Sequence, residues 1–202
     1  MDNGNLGLDK IVESLPGWCT PKKAQRLFDL VIETNSQITC ELGVFGGRSF
    51  IPMALAHKKK ASGFALGIDA WRKEASLEGT NSPENNEYWS KINYTETYRR
   101  CIHDIQFNEV DDFCSLIRMR SQDAGYLIAD NVIDILHQDS AHNVETIIVE
   151  LNLWIPKVKI GGYWVADDLL WEEAKEGYAK LPEFGLEMTE DHREWGIFKK
   201  TR

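Results

Sequence analysis

Apolar positions along this chain change period repeatedly, and each change marks an element. From Thr20 to about Glu33 they recur at helical spacing, behind a threonine suited to cap and a proline suited to the first helical position. Ile38 to Leu42 is a short β-prone run, followed across a glycine-rich stretch by a helix-compatible segment from Phe50 to about Lys60. That helix ends in Lys58-Lys59-Lys60, favourable at the negative end of its dipole and read as a solvated helix end. Gly63 to Asp69, Phe113 to Arg118, Val132 to Asp139 and Tyr163 to Ala166 read as four further strands. Helical patterns lie between them: one ending near Phe107, a short one from Ala124 to Asp130, and one from Val144 to Pro156. A last helix, Trp171 to Leu181, precedes a terminal antiparallel pair, Leu186 to Thr189 and Trp195 to Lys199. Strand alternating with helix predicts an α/β fold with a doubly wound, mainly parallel sheet of seven strands, helices on both faces and an antiparallel C-terminal strand.

The alternation breaks once. Residues 70–93 are polar, with Gly79 to Asn86 at the centre and Trp71, Tyr88 and Trp89 at the flanks. So long a segment is rarely structureless inside a compact domain, so it is read as a lid insertion, helical in part. The whole of 1–202 is taken as a single domain, with 1–36 as an N-terminal helical segment.

Composition narrows the partners. A formal charge of −9 argues against duplex DNA or an anionic membrane as the main partner. Met1 to Asn5 lacks the basic and apolar regions of a secretory signal, and no apolar run approaches the ~20 residues of a membrane span. Cys19, Cys40, Cys101 and Cys114 are widely spaced with no C-x-x-C pair, which predicts reduced thiols and a cytoplasmic protein.

The chemistry is concentrated at strand ends. Glu41, Asp69, Asp139 and the pair Asp167-Asp168 each fall at the carboxyl end of a predicted strand or just after it, the edge where doubly wound sheets bind ligands. After Glu41 come Gly43, Gly46 and Gly47, which let the backbone turn with positive φ and approach a ligand closely. The helix that follows opens with unpaired amides suited to an anion. Asp69 stands where an acid can accept hydrogen bonds from both hydroxyls of a ribose. Asp139, Asp167 and Asp168 belong to adjacent strands, and three carboxylates facing one pocket repel unless a cation lies among them. Oxygen-only donors suit Mg²⁺.

The run Glu41-Leu42-Gly43-Val44-Phe45-Gly46-Gly47-Arg48-Ser49 resembles motif I of class I S-adenosylmethionine-dependent methyltransferases, on a Rossmann-like sheet. The likeness is nearest to metal-dependent O-methyltransferases of the catechol and macrolide-sugar types. Ser121-Gln122-Asp123 looks like the family's adenine-contacting segment. Ile133 to His142, followed by Ile160 to Asp168, resembles its metal-binding half, so the match runs from about Ile38 to Asp168.

The resemblance implies a role for each residue. Glu41 would orient the loop and reach the amino group of S-adenosyl-L-methionine, Gly43 and Gly47 would leave it room, and Ser49 would meet its carboxylate. Asp69 would bind the ribose, with Ser121, Gln122 and Asp123 around the adenine. Asp139, Asp167 and Asp168 would hold the Mg²⁺, and His142 would be the general base for a small-molecule hydroxyl acceptor. The catechol type has Asp-Asn where this chain has Asp167-Asp168, one negative charge more. Pairing into a homodimer is a further implication of the fold.

Trp71, Trp89, Trp164 and Trp171 are candidates for a flat acceptor wall or for core anchors, and His137, within a strand, reads as structural. Three alternatives stay open: a metal-independent methyltransferase of this fold, a non-catalytic cofactor-binding relative, and a NAD-dependent oxidoreductase. The last would carry G-x-G-x-x-G, where this chain has Gly43-x-x-Gly46-Gly47.

Overall fold

A computed structural model describes residues 5–140, 143–172 and 174–202, with the side chains of residues 5 and 6 outside that description. Helices α1 (Asn5–Ser14) and α2 (Pro21–Glu33) lead into strand β1 (Ile38–Leu42), helix α3 (Phe50–Lys60) and strand β2 (Phe64–Asp69). The insertion holds α4 (Lys73–Ser76) and α5 (Pro83–Ser90), and α6 (Tyr94–Phe107) returns the chain to β3 (Cys114–Arg118). Then follow α7 (Ser121–Ala124), β4 (Ile133–Gln138), α8 (Val144–Trp154), β5 (Val158–Ala166), α9 (Lys175–Tyr178), β6 (Leu186–Asp191) and β7 (Gly196–Lys200).

The seven strands form one sheet in the order β3-β2-β1-β4-β5-β7-β6, parallel except for the β5–β7 and β7–β6 pairings. The order reverses direction between β1 and β4, which leaves a crevice at their carboxyl ends. Alternation along β5 sends Trp164 and Ala166 to one face and Tyr163 and Val165 to the other. One face packs on Leu27, Phe50, Met53 and Cys101 from α2, α3 and α6, the other on Ile147, Leu151, Trp154 and Tyr178 from α8 and α9. Each such aliphatic or aromatic side chain contributes about 1.5–3 kcal/mol of burial.

Local chemistry sets the boundaries. The Thr20 hydroxyl accepts from the Lys23 amide at 3.2 Å, and Pro21 opens α2, so that helix begins and ends where the pattern predicts. Ser82 and Pro83 repeat the device at α5, inside the segment read as a lid.

Elsewhere the pattern and the fold differ. β5 begins at Val158, ahead of the expected Tyr163, because a register shift against β4 absorbs the Gly161-Gly162 pair. The helix expected over Trp171 to Leu181 contracts to α9, with a 3₁₀ turn at Leu181–Phe184. The one expected over Ala124 to Asp130 is replaced by α7 and a 3₁₀ turn at Gly125–Leu127. There a Cβ at Gly125 would come within 2.4 Å of Leu153, so this turn is pressed onto α8. All four cysteines are buried and free, and among the described residues no helix is long and apolar enough to cross a membrane.

Candidate active site

The glycine loop after β1 forms one wall of a cavity of about 480 Å³ at the carboxyl edge of the sheet. Gly43, at φ 86°, is wedged between strand ends: a Cβ there would lie 2.1 Å from the Asp139 carbonyl oxygen. Only a residue without a side chain lets β1 and β4 close so tightly. The last bonds of β1 confirm the register on both sides, Gly43 N–H donating to Ile68 O of β2 at 2.9 Å and Asp139 N–H, after β4, to Leu42 O at 2.8 Å.

Two acids pin the loop. Asp69 accepts the Phe45 amide at 2.9 Å and the Trp71 amide at 2.6 Å, while the Trp71 indole donates to Phe45 O at 2.8 Å. Burial raises the Asp69 pKa, and the amides of Trp71, Phe45 and Val44 oppose that rise. Glu41 is wholly buried and accepts the Ser49 hydroxyl at 2.5 Å, tying the strand end to the start of α3.

Of the expected cofactor residues, Gly43, Ser49, Asp69, Ser121 and Gln122 line the cavity. Glu41 and Gly47 lie behind its wall, and Asp123 is exposed and paired with Arg120 at 2.9 Å. The Ser121 hydroxyl is spent inward, on Glu150. Buried on α8, Glu150 also accepts from Gln138 Nε2 at 2.8 Å and Ser140 Oγ at 2.6 Å, and so braces the ends of β4 and α7 together. Of the candidate tryptophans, Trp89 and Trp171 line the cavity, whereas Trp71 and Trp164 are core residues. His142 lies outside the described residues.

Asp139, Asp167 and Asp168 do meet at one end of the cavity. They do not form an open oxygen cage there. Lys23 of α2, 4% exposed, makes a short ion pair with Asp167 and has its ammonium 5.8 Å from the Trp195 ring. Burial works against its charge, but Asp139 and Asp167 offset this and hold its pKa above the ordinary value. Burial and the Asp167 charge push Asp139 well up. Burial acts on Asp167 in the same sense, yet Lys23 and His137 hold it below its usual value. Lys23 thus supplies a positive charge among these acids and holds Asp167 directly.

His137 lies under this cluster, Nδ1 3.6 Å from Glu41 and Nε2 3.9 Å from Asp167. Glu41, His137 and Asp139 offer atoms within 4.8 Å of one another, but that buried set includes nitrogen and is not the oxygen shell that Mg²⁺ takes. The donor set present therefore does not fit the expected three-aspartate magnesium site, for the physical reason that the Lys23 ammonium already takes the Asp167 carboxylate. Cys19, beside Lys23, is pushed up to about 12 by burial and remains a thiol.

Sequence pattern did not single out Lys23, Glu150 or Trp195. Glu150 left a signal: it interrupts an apolar stripe with Ile147, Leu151 and Trp154 at helical spacing. Lys23 left none, because a lysine in a first turn reads as solvated. Trp18, Phe45, Tyr88 and Trp89 also join in a ring cluster over the cavity mouth, with centroids 5.2–6.0 Å apart.

Comparison with known proteins agrees with this geometry. The model of a family described as a methyltransferase domain matches residues 40–169. Among solved structures, the O-methyltransferase NovP superposes with a TM-score of 0.71 at 16% identity, over 91% of this chain and 81% of its own. The O-methyltransferase TomG from Streptomyces achromogenes, in complex with SAM, gives 0.62 at 14% identity, over 100% and 91%. The SAH-bound methyltransferase PaMTH1 from Podospora anserina gives 0.69 at 8% identity, over 100% and 89%. Comparison with curated proteins returns no match. With the family model covering the glycine loop through the strand-five acids, and these neighbours superposing over 91–100% of the chain, the chain belongs to the methyltransferase-domain family, on the class I S-adenosylmethionine-dependent fold.

Proposed function

We propose that the chain transfers a methyl group from S-adenosylmethionine to a hydroxyl of a small molecule. The observation that carries this is the cavity at the carboxyl edge of the sheet: Gly43, packed against the Asp139–Ser140 backbone, lines it with Asp69 and Ser49, and it runs on to the Asp139–Asp167 end. Gly43 would give the cofactor its approach, with Gly47 shaping the turn from behind the wall, Asp69 would take the ribose, and Gln122 would lie beside the adenine. Glu41 would act from behind the wall, by fixing Ser49. The cofactor supplies a methyl carbon that bonds to the acceptor oxygen while its bond to sulfur breaks, the electron pair staying on sulfur to leave a neutral thioether.

The chain's own work is alignment and proton removal. Trp18, Phe45 and Trp89, their rings tilted or edge-on to one another, form an apolar rim at the cavity mouth, suited to the apolar face of an acceptor ring. Asp167, fixed by Lys23, would accept a hydrogen bond from the acceptor and set the direction of its oxygen. His142, the base nominated by the sequence, would receive the hydroxyl proton, since an imidazole titrates near neutrality. No metal enters this reading. The neighbours whose descriptions name SAM, SAH or O-methyl transfer support it as relatives in fold.

Thermal unfolding with S-adenosylhomocysteine, with NAD as control, tests the reading. Saturation at about 100 times Kd adds about 2.7 kcal/mol, a rise of roughly 5–10 °C at this size. No rise with S-adenosylhomocysteine, or a larger one with NAD, would return the loop to a general nucleotide site.

A further inference from the structure

We propose that Lys23 is the resident cation of the acceptor end of this cavity, standing between the ends of β4 and β5 where a divalent ion would otherwise sit, so that the wild-type site excludes divalent metals. The consequence for turnover rests on the methyltransferase reading above, but the cation itself does not. Lys23 reaches Asp167 from a position 144 residues away in sequence, so the contact is made by the tertiary fold. Its backbone is fixed in the first turn of α2 by the Thr20 cap, and its side chain is almost wholly out of water. A buried ammonium persists only where anions compensate it, and here the compensating groups are the acids that would have to hold a metal.

The surroundings are built to keep it there. Arg26, one helical turn farther along α2, grips Glu190 of β6 through Nε at 3.0 Å and through a second guanidinium nitrogen at 2.7 Å. His192 bonds Glu190 at 3.0 Å and stacks on Trp195 with centroids 3.9 Å apart, and the Trp195 ring is the one near the Lys23 ammonium. Two basic residues on one face of α2 thus clamp the C-terminal strand pair, and the inner one faces the acids. An ammonium and a dication cannot share so small a space without strong repulsion. Lys23 is in this sense a positioning residue: it fixes Asp167, and through Asp167 the acceptor.

Titration with Mn²⁺ followed by electron paramagnetic resonance, on the cofactor-free full chain, reads this without any knowledge of the acceptor. Wild type is expected to show no saturable site up to about millimolar Mn²⁺. Lys23→Met opens the acid pair and is expected to bind one Mn²⁺ at least ~10-fold more tightly, a gain lost again in Lys23→Met combined with Asp139→Asn. Lys23→Gln repeats the test if the methionine variant does not fold, and S-adenosylhomocysteine binding reports that each variant retains its cavity. A single tight Mn²⁺ site in wild type, lost in Asp139→Asn, overturns the proposal, as does a folded Lys23 variant that gains no Mn²⁺ binding. A wild type that binds neither Mn²⁺ nor S-adenosylhomocysteine leaves the resident cation standing and removes the methyltransferase reading alone.

Discussion

Gly43 shows how much one position decides. Alanine there must hold φ near 86° and place its Cβ 2.1 Å from the Asp139 carbonyl, so the ends of β1 and β4 must part. Backbone strain of this kind costs about 1–3 kcal/mol before any clash is counted. Gly43→Ala is expected to lower the melting temperature and to abolish the S-adenosylhomocysteine shift; a variant that binds as wild type would show that the cofactor does not depend on the close approach of β1 and β4. Glu150 carries the opposite lesson. Truncation by Glu150→Ala strips Ser121, Gln138 and Ser140 of a common acceptor inside the protein, at a cost of about 1–3 kcal/mol for each donor left unsatisfied. A chemical-denaturation midpoint unchanged in that variant would mean that water replaces the carboxylate. Gly43 was legible because glycines have few uses after a strand. The partners of Glu150 were not, because they come from α7 and the end of β4, outside the helix that carries it.

At the scale of elements, α2 is the piece whose boundaries were readable and whose role was not. A Thr-Pro start and amphipathic spacing defined it, but that its polar face would clamp β6 follows only from docking. Hydrogen bonds from Arg26 hold Glu190 at about 2, below its ordinary value, and His192 adds to this. A carboxylate whose folded pKa is depressed contributes stability above its unfolded value of ~4.3, and that contribution is lost as pH falls toward 2. Exposure screens the pair, so its worth is about 1 kcal/mol or less. Arg26→Gln should therefore lower stability at pH 7 by about 1 kcal/mol or less and flatten the stability curve between about pH 4.3 and 2 in urea titrations. A large loss at pH 7 would mean that the clamp holds the whole C-terminal pair in place. The contracted α9 and the early β5 were hidden for a related reason: helix and strand ends are set by what packs against them, here Ile147 against Gly177 and the β4 register.

For the molecule as a whole, His57 gives a readout independent of the cavity. Buried at the far end of α3, it meets Thr39 Oγ1 at 3.1 Å, and burial lowers its pKa to about 4. The unfolded chain therefore binds a proton between about pH 6.5 and 4 that the folded chain does not. Stability from this group is complete above pH 6.5 and is lost as pH falls to 4. Melting temperature is expected to drop across that window, and His57→Gln to reduce the slope; an unchanged slope would assign the acid sensitivity to the carboxylates.

The sequence by itself determined the alternation of strands and helices, the glycine loop after β1, and the gathering of acids at one sheet edge. Period, turn chemistry and strand polarity are local, and local rules suffice for them. Only the tertiary structure decided what balances those acids. Charge in a buried site is settled by whichever side chain the fold brings within a few ångströms, and the lysine that does so lies far away in the chain, in a helical turn that reads as surface.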